Sequence, residues 1–306
     1  MAASSQMGEH GRFKAPDVPQ AQPKPGLEKR MVPPSESTRL ESEGEFIEYV
    51  GSGKLKDKKV LITGGDSGIG RSVAVLMARE GADITIVYLP EEQEDAEDTK
   101  KMIEKEGRTC HLFAGNLMDN ETCRKAVESH VQNFGRVNVL VNNASKQWMC
   151  KDFAQIDLDV VESVFRSNIL QMFAMTKFAL PHMKKGDSII NTSSVTTFRG
   201  TSSMIDYAST KGAIIGFTRS LAVNLEPKGI RVNAVAPGAV YTPIQVDTRP
   251  AEQMAGWHSK APLGRPSQPS EVATSFVFLA SPEAAPYCKY FNRAMSKQPD
   301  AGCLII

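Results

Sequence analysis

The chain has 306 residues, room for one large domain or two small ones, and its 41% hydrophobic and 23% charged content is that of an ordinary soluble globular protein. Lysine and arginine (36) nearly cancel aspartate and glutamate (35), and the formal net charge of +1 argues against a nucleic-acid surface or a strongly acidic partner. Five scattered cysteines (Cys110, Cys123, Cys150, Cys288, Cys303) and five dispersed histidines show neither Cys-x-x-Cys spacing nor a ligand cluster, which excludes a disulfide framework and a metal site and suits a reducing compartment.

Residues 1–22 lack the apolar core of a secretory signal, and no apolar run approaches bilayer length, so a cytoplasmic protein with no membrane partner is expected. Residues 1–52 are rich in Pro, Ser, Glu and Lys, without long apolar periodicity; that composition predicts a disordered tail. Within it, Glu45-Phe46-Ile47-Glu48-Tyr49-Val50 reads as a patch that docks on the surface of the domain. From residue 53 to 285 the texture changes to β-rich runs alternating with amphipathic helices. Strands are predicted at 60–62, 84–88, 110–114, 137–141, 188–191 and 230–235. Helices are predicted at 71–80, 91–106, 120–134 and 158–183, and from Tyr207 to about 225. Strict alternation of this kind implies right-handed βαβ units: one α/β domain, a doubly wound parallel sheet with helices on both faces.

Three elements carry chemistry. The first is a glycine loop, Thr63-Gly64-Gly65-Asp66-Ser67-Gly68-Ile69-Gly70, which follows a strand and opens a helix. Glycines there let the backbone approach a pyrophosphate, and the helix N-terminus supplies unpaired N–H donors. The middle glycine falls later than in the widely spaced Gly-x-Gly-x-x-Gly pattern. The second is a hydroxyl run, Thr192-Ser193-Ser194, after the strand at 188–191. The third is Tyr207-Ala208-Ser209-Thr210-Lys211, whose spacing puts phenol and ammonium on one helix face. Solvated helix faces often carry such a pair, but a lysine beside a phenol favours the phenolate and can make an acid/base couple. Bringing a tyrosine from about 10 to roughly 7 takes on the order of 4 kcal/mol.

Taken with Asn142-Asn143-Ala144 and Pro237-Gly238, these elements resemble the short-chain dehydrogenase/reductase family over about residues 53–283. Asn142-Asn143-Ala144-Ser145-Lys146-Gln147, Asp206-Tyr207, Pro262-Leu263-Gly264-Arg265-Pro266 and the tail's Pro25-Gly26-Leu27-Glu28 are similar to its glucose/ribitol dehydrogenase-like branch. The resemblance implies a Rossmann-type fold and a nicotinamide cofactor. It makes Tyr207 the proton donor or acceptor, Lys211 the holder of the ribose that also lowers the tyrosine pKa, and Ser194, thirteen residues before Tyr207, the partner of the substrate oxygen. Asn168 matches the member that positions a proton-relay water. The cofactor cleft is implied to comprise Gly64, Asp66, Ser67, Gly68, Ile69, Gly70, Tyr88, Asn116, Leu117, Asn143, Ala144, Tyr207, Lys211, Pro237, Gly238, Val240 and Thr242. The acid that in the family usually ends the second strand and bonds the ribose 2′-OH is replaced by Tyr88, and neither Leu89 nor Ser67 is basic. Losing the acid removes a repulsion against a 2′-phosphate, which favours NADP over NAD.

The resemblance stops near residue 286. A Thr-Gly-Gln segment and a last strand are expected there, but the chain reads Pro286-Tyr287-Cys288-Lys289-Tyr290-Phe291-Asn292, so 286–306 is an atypical tail without a readable seventh strand. An altered reading frame or a splice form explains such a change. Family members commonly use that edge for subunit contacts, so a dimer or monomer rather than a tetramer is expected. The terminus Cys303-Leu304-Ile305-Ile306 has a C-a-a-X shape but no polybasic partner. The predicted activity is hydride transfer between NAD(P) and an alcohol or carbonyl of a sugar, polyol or small ketone. The alternatives are a secondary-metabolite ketoreductase and a dinucleotide-binding protein with little turnover. The segment from about 241 to 265, with Trp257, is read as the substrate lid.

Overall fold

Val60, Leu61 and Ile62 are buried, and so is every residue of Asp83–Tyr88, Val139–Asn142, Ser188–Thr192 and Arg231–Ala236, a pattern that belongs to strands covered on both faces. The computed structural model, which describes residues 11–288 and 304–305, assembles them accordingly. In chain order the domain comprises β3 (Lys59–Thr63), α1 (Gly68–Arg79), β4 (Asp83–Tyr88), α2 (Gln93–Lys105), β5 (Cys110–Ala114), α3 (Asn120–Phe134) and β6 (Val139–Asn142). There follow α4 (Leu158–Phe165), α5 (Gln171–Ala179), β7 (Ser188–Thr192), α6 (Thr196–Arg199), α7 (Ile205–Leu225), β8 (Arg231–Ala236), α8 (Pro243–Val246) and α9 (Pro269–Ala280). The sheet order is β5-β4-β3-β6-β7-β8, all parallel, with Thr63 beside Asn142 and Asn142 beside Asn191. Chain progression reverses between β3 and β6, and this is the switch point at whose carboxyl ends open α/β sheets bind ligands.

Alternation along each strand sorts the core into two layers. Val60, Ile62, Ile84, Ile86 and Val141 pack against α1, α2 and α9, through residues such as Val73, Ile103 and Phe276. Leu61, Val87, Leu140, Ile189 and Val232 face the other way, onto Val127 of α3, Met175 of α5 and Leu225 of α7. The single helix expected over 158–183 is interrupted by a π-helical turn, Arg166–Leu170, and its last turn is a 3₁₀ segment, Leu180–His182.

The predicted disordered tail needs correcting from Gly11 onward. Residues 39–48 form an antiparallel hairpin, β1 (Arg39–Ser42) and β2 (Glu45–Glu48), after which Tyr49 hydrogen-bonds Glu80. Upstream, Phe13, Leu27 and Met31 are buried, and Met31 packs with Tyr241, Val246 and Met254. The segment has too few apolar residues for a core of its own, but it completes one supplied by the domain. Residues 1–10 lie outside the described part.

At the far edge, Leu304–Ile305 (β9) pairs antiparallel with Val235 and Ala236, so a seventh strand is present as two residues of backbone pairing. Tyr287 still belongs to the domain: its carbonyl accepts from Asn233 and its ring meets Phe278 edge-on at 5.1 Å. Residues 289–303 and 306, including Cys303 and Ile306 of the terminal motif, lie outside the described residues. Among the described residues no helix is long and apolar enough to cross a membrane, and no three His, Cys, Asp or Glu side chains gather at a metal site.

Candidate active site

The carboxyl ends of β3, β4, β6, β7 and β8 open into a cleft of about 410 Å³. Its walls include every residue expected at the cofactor except Gly70, which sits beneath the loop. A Cβ on Gly70 would stand 1.8 Å from the Gly64 carbonyl oxygen and 2.8 Å from Asn143 Nδ2, so no other residue fits there. Gly68 begins α1 with φ +50°, which sets the helix N-terminus at the cleft wall. The loop is braced from β6: Asn143 Nδ2 donates to the Gly64 carbonyl at 2.9 Å, and the Thr63 hydroxyl accepts from the backbone N–H groups of Asn143 and Ala144. Such a cradle of small residues at a helix N-terminus fits a dinucleotide diphosphate.

At the other end β7 delivers Ser194 and α7 delivers Tyr207 and Lys211. Ser194 hydrogen-bonds the Tyr207 phenol and accepts from Thr196 N. Ser193 Oγ instead donates to the Lys211 carbonyl at 2.9 Å, which turns it into the α7 backbone and leaves Ser194 as the hydroxyl facing the phenol. Lys211 is 1% exposed; its Nζ donates to the Thr192 carbonyl at 2.9 Å and lies 5.3 Å from the centre of the Tyr207 ring. Burial lowers the Lys211 pKa to about 7.

One expectation about this pair does not hold in the structure. The Tyr207 pKa is raised, because burial outweighs the two effects that oppose it, the Ser194 hydrogen bond and the charge of Arg249. Arg249, in the segment read as the lid, is the cation whose charge opposes that rise. It packs over Trp257 at 5.0 Å and is itself held below its ordinary pKa by burial.

Asn168 lies in the π-helical turn, fully buried and outside the cleft lining. Its Oδ1 accepts from Lys146 N and its Nδ2 donates to Lys146 O, both at 2.8 Å, with a further bond to Thr210 at 3.1 Å. It ties the loop after β6 to the helix bearing Tyr207. At the nucleotide end, Tyr88 is buried and its hydroxyl donates to Gln93 Oε1 at 2.6 Å, while Asn116 Oδ1 caps Met118 N. Glu92 and Asp66 line the same end; burial, chiefly, pushes Glu92 up to about 9 and Asp66 to about 6. Also unforeseen in the wall are Lys24, Pro25 and Gly26 from the N-terminal segment, together with Gln245 and Asp247.

The family model described as enoyl-(acyl carrier protein) reductase matches residues 64–288. Uncharacterized oxidoreductase YhdF of Bacillus subtilis is 49% identical over 261 residues, 85% of this chain and 88% of that protein. NADPH-dependent aldehyde reductase 1, chloroplastic, of Arabidopsis thaliana is 41% identical over 91% of this chain and 98% of its own length. The crystal structure of a short chain dehydrogenase from Burkholderia cenocepacia in complex with NADP superposes with a TM-score of 0.72 at 29% identity, covering 77% of this chain and 95% of that one.

Proposed function

The chain belongs to the short-chain dehydrogenase/reductase family, and from that premise we propose that it reduces carbonyl groups, or oxidises the corresponding alcohols, with NADP by a Ser194-Tyr207-Lys211 mechanism. The observation that carries the reading is the convergence of these three side chains at one end of a cleft whose other end is the braced glycine loop.

Gly64, Ser67 and Ile69 would hold the diphosphate, Asn143, Tyr207 and Lys211 the ribose beside the nicotinamide, and Thr242 the carboxamide. A bound nicotinamide supplies the hydride chemistry. Tyr207 holds a proton on its phenol oxygen at neutral pH, because burial raises its pKa, and that proton is what a developing alkoxide needs. Ser194 gives a hydrogen bond to the same oxygen and orients it. Lys211, held by the Thr192 carbonyl with its ammonium 5.3 Å from the Tyr207 ring centre, would bond the ribose from below the phenol. Asn168 fixes Lys146 and the floor between β6 and α7.

Support for NADP comes from Tyr88, which puts no charge at the 2′ position. The Arabidopsis relative is named for NADPH-dependent aldehyde reduction, which supports carbonyl substrates. Purified protein assayed by nicotinamide absorbance with NADPH and NADH, against aldehydes, ketones, sugars and polyols, tests the reading. Turnover of sugars or polyols alone would move the assignment to polyol oxidation. Cofactor binding with no turnover anywhere would leave only a dinucleotide-binding protein.

A further inference from the structure

The N-terminal segment does more than cover apolar surface. Residues 16–36 cross the mouth of the cleft and bond to both of its sides. On the glycine-loop side, Glu28, 2% exposed, accepts a hydrogen bond from Gly68 N at 3.0 Å, the first N–H of α1, and one from Ser35 N at 2.9 Å. Asp95 of α2 receives the Glu28 and Lys29 N–H groups, which fixes the same turn from below. On the lid side, Lys24 Nζ bonds Asp247 at 2.5 Å and Thr248 at 3.0 Å, and Gly26 N donates to the other Asp247 oxygen at 3.0 Å. Further out, Gln22 N bonds the Val246 carbonyl, Gln20 bonds the Tyr241 hydroxyl, and Gly256 N bonds the Pro16 carbonyl. Lys24 also lies 4.9 Å from the Trp148 ring centre, so one ammonium touches both the lid and the loop after β6.

Between these two sets of contacts, Lys24, Pro25 and Gly26 form part of the cleft wall beside Ser67, Gly68, Thr242 and Asp247. The fit at Gly26 is close: a Cβ there would stand 2.7 Å from the Pro243 carbonyl oxygen. The glycine loop and the lid meet directly as well, since a Cβ on Gly68 would come within 2.9 Å of Thr242 Cγ2. A dinucleotide lying along the cleft is therefore enclosed on its outer side by chain that belongs to neither the sheet nor the lid.

We propose that residues 24–28 are the outer wall of the cofactor site, a clasp that fastens the substrate lid to the glycine loop and must release for the dinucleotide to exchange. This rests on the reading of the cleft as a nicotinamide dinucleotide site. Lys24 and Gly26 are binding residues by this account, acting through Asp247, and Glu28 anchors the clasp at the helix terminus. The physical consequence is kinetic. With Lys24 and Gly26 both held by a largely buried carboxylate, release of the cofactor requires those charge-assisted bonds to break first.

The test is stopped-flow displacement of NADPH by excess NADP from the full-length protein, followed by nicotinamide fluorescence. Lys24→Met and Gly26→Val should each raise the dissociation rate of NADPH by about tenfold, the effect of losing one charge-assisted hydrogen bond. Lys24→Arg, which keeps the charge and the reach to Asp247, should stay close to the unmodified rate. A generally weakened fold would not show that rescue. Lys24→Met decides the matter alone if Gly26→Val does not fold. Unaltered release in folded Lys24→Met overturns the clasp while leaving the cofactor reading intact. An unmodified chain that binds neither NADPH nor NADH overturns both.

Discussion

Lys211 Nζ donates to the Thr192 carbonyl oxygen at 2.9 Å, so the lysine four residues after the tyrosine is held by the end of β7 and not by the phenol. Burial there lowers its pKa from the ordinary lysine value to about 7. The unfolded chain therefore binds one more proton than the folded chain between about pH 7 and the unfolded lysine pKa near 10.4. Stability gains from this group as pH rises through that window, and the buried charge weighs against folding below it. Lys211→Met should flatten the rise of melting temperature between pH 7 and 10, and should weaken cofactor binding and alter the pH–rate profile. A variant with the unmodified profile in both measurements would show that Lys211 neither titrates there nor tunes Tyr207.

Glu28 accepts from two backbone N–H groups, Gly68 and Ser35, in a site closed to water. Glu28→Ala leaves both donors unpaired, and should lower stability by roughly 1–3 kcal/mol. Urea unfolding at neutral pH measures this. A loss within error of zero would mean that the strap is not bound to the glycine loop in solution.

Tyr88→Asp places a carboxylate at the end of β4, where it opposes a 2′-phosphate and can accept from a ribose 2′-OH. The ratio of kcat/KM for NADPH to that for NADH should fall at least about tenfold, which corresponds to about 1.4 kcal/mol of differential binding. If the ratio does not move, the 2′ position is read by other residues.

Among the described residues, β9 pairs with only two of the six residues of β8. Assembly through the edge should accordingly be weak, giving a dimer or monomer in light scattering. Helix α5 offers an alternative contact face, since Phe173 is 53% exposed beside Phe217 and Leu170, 42% exposed, closes the π-helical turn just before it. A stable tetramer would contradict the expectation and place the contacts away from β8.

The strand–helix alternation, the sheet, and the gathering of Ser194, Tyr207 and the glycine loop at one cleft were legible because each rests on a local signal: apolar runs, a glycine turn, a four-residue helical spacing. What escaped depends on long-range packing. Phe13, Leu27 and Met31 are too dispersed to suggest order, and they become buried only against surface that the domain provides. The π-helical turn at Asn168 leaves no mark on apolar periodicity, since one extra residue in a buried helix shifts the pattern by less than the spread of its apolar face. Spacing put Lys211 on the same helix face as Tyr207, but it could not show that burial would lower the lysine pKa, nor that the charge of Arg249 would bear on the phenol.

Everything proposed for the site depends on Tyr207 supplying the proton to the reacting oxygen. The most direct measurement compares NADPH oxidation by the unmodified protein and by Tyr207→Phe on the best carbonyl substrate, with NADPH binding by both confirmed through fluorescence. The Phe variant should keep its fold and its cofactor and lose roughly two to four orders of magnitude in rate, as removal of a general acid does. A folded, NADPH-binding Phe variant that turns over as fast as the unmodified protein would contradict the account.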